Sequence, residues 1–271
     1  VQIIDLSLPI KNNATEPEPP RIKYLSHKKG GFLLGLAALV SKQGIIKNIF
    51  KYLSGSFRIT SKDFPEGIGL AWEEIKANTH TGTHLDAPYH FGPTFNGKPA
   101  KTIDKVPLHW CFGNGVLLDM RHKKSGEVIS LEDIISELKR INHHIQPFDI
   151  VLIMTGADKY WGRPEYLEVH PGVSPEVVIW LVDRGVKVIG TDAYGFDRPF
   201  KCMVEDYIRT KDNSYLWPAH FIGRVKEYVH IEKLTNLSAI PKPYGFKVAC
   251  FPIKVEHASA AWARVVAIID D

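Results

Sequence analysis

The sequence predicts a mixed α/β fold, and three observations carry that prediction. Short apolar runs alternate with stretches of helical period along the chain. At 271 residues, 44% hydrophobic and 24% charged, it has the length and composition of a globular protein with a substantial core. No internal repeat, low-complexity tract or interdomain linker divides it, so one domain covering residues 1–271 is expected.

The elements follow in order. Residues 2–7 read as a first strand, and 115–119 and 150–155 as buried strands. An amphipathic helix is expected between those two at 131–141, with Ser130 as N-cap and Asp133 at the capping-box position. A second helix is expected at 175–183, with Gly185 ending it before a strand at 186–190. Two strands, 246–255 and 262–269, close the domain. Residues 12–62 behave differently. After a proline-rich opening (Pro17, Pro19, Pro20), Phe32, Leu33, Leu36, Leu39, Ile46, Ile49, Phe50 and Leu53 recur at helical spacing, interleaved with Lys42, Lys47 and Lys51. This predicts an amphipathic helical segment, broken at Gly44, that packs on its own domain or a partner subunit. A membrane-surface helix is the rarer alternative.

The chemistry concentrates in residues 80–91, His-Thr-Gly-Thr-His-Leu-Asp-Ala-Pro-Tyr-His-Phe. His80, His84, Asp86 and His90 are metal ligands or proton carriers by type. In an extended segment His84 and Asp86 share a face, roughly 6–7 Å apart at Cα, and can converge on one ion. His80 and His90 cannot join them on a straight strand, since ten residues span roughly 33 Å. The run must bend, and Gly82 and Pro88 supply the means. A helical His-x-x-x-His reading fails on Thr81, where a metalloprotease carries Glu, and on Gly82, Thr83 and Pro88.

The pattern His-x-Gly-Thr-His-x-Asp-x-Pro-x-His resembles the signature of the cyclase family, which includes bacterial kynurenine formamidases and isatin hydrolases, metal-dependent enzymes that open amide bonds. A second match lies downstream, where His220 in Pro-Ala-His-Phe is followed twelve residues later by Glu232 in His-Ile-Glu-Lys-Leu-Thr-Asn-Leu. The resemblance runs from Ile-Ile-Asp-Leu-Ser near the start to the closing Ala-Arg-Val-Val-Ala-Ile-Ile. It implies a mixed, partly barrel-like sheet flanked by helices, assembled as a homodimer or homotetramer. It also implies that His80, His84 and Asp86 hold a first divalent metal, with Asp86 bridging to a second bound by His220 and Glu232 contacting both. His90 becomes the general acid/base. One or two zinc or manganese ions suit such mixed nitrogen and oxygen ligands. Taken alone, His220 reads as a packing residue and Glu232 as a solvated carboxylate, and His230 is a rival ligand. His257 and Asp192 are further candidates for the pocket. The formamidase branch is shorter near its N-terminus, so residues 12–62 read as an insertion that reshapes the substrate pocket.

The expected activity is metal-dependent hydrolysis of a carbon–nitrogen bond in an aryl formamide or small cyclic amide. A lactonase or ring-closing cyclase on the same metal site is the alternative. From another class comes a non-catalytic, metal-stabilised protein that docks a membrane or partner through residues 30–53. A net charge of +4 with scattered basic residues argues against nucleic acid. The longest apolar run is too short to span a bilayer. Three dispersed cysteines and no visible signal peptide lead to an expected cytoplasmic location.

Overall fold

A computed structural model describes residues 1–12, 14–37, 45–55 and 59–270. The chain forms two compact units, one built from Val1–Pro19 with Asn78–Asp271 and the other from Pro20–Ala77.

The first unit is a mixed α/β structure around a curled, nine-stranded, half-barrel sheet. In chain order its strands are β1 (Gln2–Asp5), β2 (His84–Asp86), β3 (Phe112–Asp119), β4 (Ile150–Met154), β5 (Val188–Thr191), β6 (Val229–Glu232), β7 (Phe246–Ala249), β8 (Ala260–Trp262) and β9 (Val266–Ile269). Across the sheet they run β1-β9-β7-β3-β4-β5-β6-β2-β8. β3 to β6 are parallel, and the pairs on either side of that block are antiparallel. The curl brings distant strands together: Ser7, just past β1, bridges Leu234, just past β6.

Period-two alternation divides two cores. Leu117, Ile150, Leu152, Val188, Val229 and Ile231 face one side. Val116, Leu118, Val151, Ile153 and Ile189 face the other, beneath the helices α1 (Leu131–Arg140) and α2 (Pro175–Asp183). Ser130 caps α1 with Asp133 as expected: the Asp133 N–H donates to Ser130 Oγ at 3.3 Å and the Ser130 N–H to Asp133 Oδ2 at 2.8 Å.

Several boundaries differ from expectation for local reasons. The strand expected at 246–255 stops at Ala249: the Cys250 N–H still reaches the Cys111 carbonyl just before β3, but from Pro252 the chain pairs with Ala263 and Trp262 instead. The strand expected at 262–269 is two strands, β8 and β9, on separate pairings. Strand β6 and a helix α3 (Phe200–Thr210) were not anticipated.

In the second unit, strand Arg21–Leu25 pairs antiparallel with Trp72–Lys76. Helix His27–Ala37 lies against the chain at Gly69 so closely that a β-carbon on Gly69 would come 2.3 Å from the Gly31 nitrogen. Helix Ile45–Leu53 exposes Ile46, Ile49, Phe50 and Leu53 at spacings of three and four. Leu39, Lys42 and Gly44 of the expected stripe lie outside the described residues. No helix among the described residues is long and apolar enough to cross a membrane.

Candidate metal centre

The antiparallel register of β6 on β2 places His230 opposite Asp86 and Glu232 opposite His84. Leu85, Val229 and Ile231 take the alternate positions and enter the apolar core. All four polar groups therefore emerge on one face of two adjacent strands. The bend expected in residues 80–91 supplies two more. Gly82 is left-handed (φ 62°), Ala87 is extended, and Pro88 starts a short helix, Pro88–Phe91, that carries His90. Another short helix, Pro218–Phe221, delivers His220.

Among the described residues, two groups of side chains can each hold a metal ion: His80, His84 and Asp86, and Asp86, His220, His230 and Glu232. Asp86 belongs to both. Its Oδ1 lies 2.9 Å from His80 Nδ1 and 3.4 Å from His84 Nε2. Its Oδ2 lies 2.9 Å from His230 Nε2 and 3.8 Å from His90 Nε2. Glu232 spans the groups as well, 3.7 Å from His84 Nε2 through Oε2 and 3.6 Å from His220 Nε2 through Oε1.

The donor set fits a divalent ion. Nε2 of His84 and Oδ1 of Asp86 are buried and have no aligned hydrogen-bond partner. Buried polar atoms seldom stay unpartnered, and a cation between these two would satisfy both. The imidazoles are also turned correctly. His84 Nδ1 lies 2.8 Å from the Gly82 carbonyl, which can only accept, so Nδ1 carries the proton and Nε2 keeps its lone pair. His220 Nδ1 contacts Asp197 Oδ2 at 2.5 Å, an arrangement common behind metal-bound histidines.

Protonation in the metal-free centre follows from these contacts. Burial pushes the Asp86 carboxyl up, but the adjacent imidazoles of His84, His230 and His80 hold it well below the usual carboxylate range. Burial opposes the charged form of His220, yet Asp197 raises it to about 9. His230 is lowered, chiefly by burial and then by the neighbouring His220. His90 is lowered by desolvation, against the pull of Asp86, so its imidazole is neutral at pH 7.

A cavity of about 490 Å³ opens beside this cluster, lined by His90, His220, Glu232, Phe196, Phe200 and Trp217 among others. Chain geometry thus gathers all six residues named from the sequence: His80, His84, Asp86, His90, His220 and Glu232. It adds His230 beside Glu232 and Asp197 behind His220. The Val-His-Ile-Glu alternation carried a signal for His230; none marked Asp197. Two other candidates lie apart. His257 is exposed, its Nε2 3.7 Å from Glu256 Oε1. Asp192 is buried but accepts hydrogen bonds from Thr155 and Gly156, which fixes the loop after β4.

Residues 4–198 match the family described as putative cyclase. The chain is 30% identical over 204 residues to an uncharacterized protein of Methanocaldococcus jannaschii, covering 74% of this chain and 84% of that one. It is 31% identical over 125 residues to kynurenine formamidase of Geobacillus thermodenitrificans, an alignment spanning 46% of this chain and only 52% of the relative. In structure it is similar to an isatin hydrolase bound to the product analogue thioisatinate, with a TM-score of 0.72 at 16% identity, covering 100% of this chain and 93% of that one. That likeness establishes the fold.

Proposed function

This chain belongs to the putative cyclase family, and on that premise we infer that it is a divalent-metal-dependent hydrolase opening a carbon–nitrogen bond in an aryl formamide or small cyclic amide. The observation that carries the reading is the sharing of Asp86 between two ligand groups, with the free ring nitrogen of His90 3.8 Å from its Oδ2. His80, His84 and Asp86 would hold a first ion, and Asp86, His220 and Glu232 a second. Zinc or manganese suits the donors. Such an ion, when bound, supplies a Lewis acid for the carbonyl and makes hydroxide available near neutral pH.

The protein's own part is to orient and to move a proton. Asp197 and the Gly82 carbonyl hold the rings of His220 and His84 with their Nε2 atoms inward. His90, neutral at pH 7, can take a proton at Nε2 from the attacking water and return it to the leaving nitrogen. The carbon–oxygen bond forms, the carbon–nitrogen bond breaks, and the amine leaves protonated. Phe196, Phe200 and Trp217 give the cavity wall an aromatic character suited to a flat ring.

The test combines metal analysis of the purified protein with a panel of N-formylkynurenine, isatin, cyclic imides and lactones. Amide turnover that disappears with chelator and returns with zinc or manganese is expected. Turnover of lactones alone would place the reaction at carbon–oxygen bonds instead, and no turnover of any member would remove the hydrolase reading.

A further inference from the structure

A buried ion pair holds the turn that carries His80 and His84, and the chemistry above does not use it. Lys233 Nζ and Glu16 Oε2 are 2.7 Å apart, with each side chain only 4% exposed. The other Glu16 oxygen accepts the Gly82 N–H at 2.9 Å. Lys233 Nζ also donates to the His80 carbonyl at 2.8 Å and lies 4.5 Å from the centre of the Tyr194 ring. The Lys233 carbonyl accepts from Thr83 Oγ1. Backbone groups of His80 and Gly82, and the Thr83 side chain, are therefore tied to two residues outside the turn.

Two unfavourable features meet at Lys233. Its backbone is left-handed (φ 60°), a conformation that disfavours any residue with a β-carbon. Its ammonium is withdrawn from water into an ion pair whose attraction is offset by desolvation. Stability alone is a weak reason for either. Position supplies a better one, since Lys233 directly follows Glu232, and the left-handed turn sends its side chain back towards His80. One residue thus connects the backbone of the first ligand group with the strand bearing the second.

We propose that Lys233 and Glu16 are positioning residues for the metal centre, acting as one unit that fixes the His80–Gly82 backbone relative to Glu232. This rests on the reading of His80, His84 and Asp86 as metal ligands. Replacing partners behind metal ligands commonly weakens binding roughly 10- to 100-fold. Lys233→Met removes the charge with similar length, and Glu16→Gln keeps the volume.

The test titrates the full chain with Zn2+ against a chromophoric chelator, for wild type, both single variants, the double variant and His84→Ala. Each metal-free protein is also unfolded in urea. Expected are single variants weakened by about tenfold or more, a double variant no weaker than the weaker single, and a metal-free urea midpoint for the double variant, which leaves no unpaired buried charge, at or above that of wild type. Single variants with wild-type zinc affinity overturn the proposal while leaving the ligand reading intact. So does a double variant whose loss is the product of the two singles, or one whose loss of metal-free stability parallels its loss of affinity. Equal affinity of His84→Ala and wild type overturns the ligand reading, and the proposal with it. If Lys233→Met does not fold, Glu16→Gln at wild-type affinity is sufficient to overturn the pair.

Discussion

His84 and Glu232 stand opposite each other across two antiparallel strands, Nε2 to Oε2 at 3.7 Å, although they are 148 positions apart in the chain. A one-residue slip between β2 and β6 would turn these side chains to the opposite face. The apolar residues Leu85, Val229 and Ile231, packed in the core behind, guard against that slip.

On the roles proposed for them, His84 and His90 separate binding from proton transfer. His84→Ala should abolish both metal content and turnover. His90→Ala should retain metal and lose roughly 10²- to 10⁴-fold in kcat, the usual worth of a positioned acid/base. Elemental analysis beside steady-state kinetics checks the pair, and full metal content in His84→Ala would contradict its role as a ligand.

Asp197 accepts from His220 Nδ1 and from the backbone N–H groups of Ala219 and His220. Asp197→Asn keeps the shape and removes the charge behind the imidazole. Zinc affinity is expected to fall roughly 10- to 100-fold, measured by chelator competition.

His170 sets an acid limit on stability. Its ring is buried, Nδ1 has no hydrogen-bond partner, and burial lowers its pKa to about 4 from 6.5 despite the opposing charge of Glu232. The unfolded chain therefore takes up this proton first as the pH drops. The stability associated with neutral His170 is complete above 6.5 and is lost as pH falls through 4, on the order of 3 kcal/mol in total. His170→Leu should flatten the urea-derived stability between pH 7 and 4; an unchanged slope would show that other groups set it.

Gly223 leaves room for Phe91. A β-carbon there would sit 1.9 Å from the Phe91 ring, which packs 5.8 Å from the His220 ring and 5.0 Å from that of His230. Gly223→Ala should cost about 1–3 kcal/mol through overpacking and reduce metal occupancy with it. Calorimetry and metal analysis on one preparation would show whether the two losses travel together.

The half of the site within residues 80–91 was legible because its chemistry and its bends are local: histidines, one aspartate, a glycine and a proline in a single run. The α/β class and the capped helix α1 were legible for the same reason. His230 was only a rival to Glu232, because nothing local says that both face Asp86 and His84; that follows from a strand pairing over long range. Strand β6 has no clear sequence signature, since the residues alternating with its valine and isoleucine are a histidine and a glutamate that face the candidate centre. Asp197 lies in a loop, and its role exists only through where Pro218–Phe221 comes to rest. Strand ends near 250 and 262 are not marked in the sequence, because apolar residues there continue past the last ladder hydrogen bond.

The contact between His230 and Asp86 also bears on how the protein is made. It joins residues 144 positions apart, and closing so long a loop is entropically costly and slow. The complete centre cannot exist until the ribosome has released β6 and the curl has shut. A nascent chain ending before residue 220 contains only the His80, His84 and Asp86 group. On the proposed ligand assignment, the second group is therefore a late product of biogenesis, available only in a finished fold.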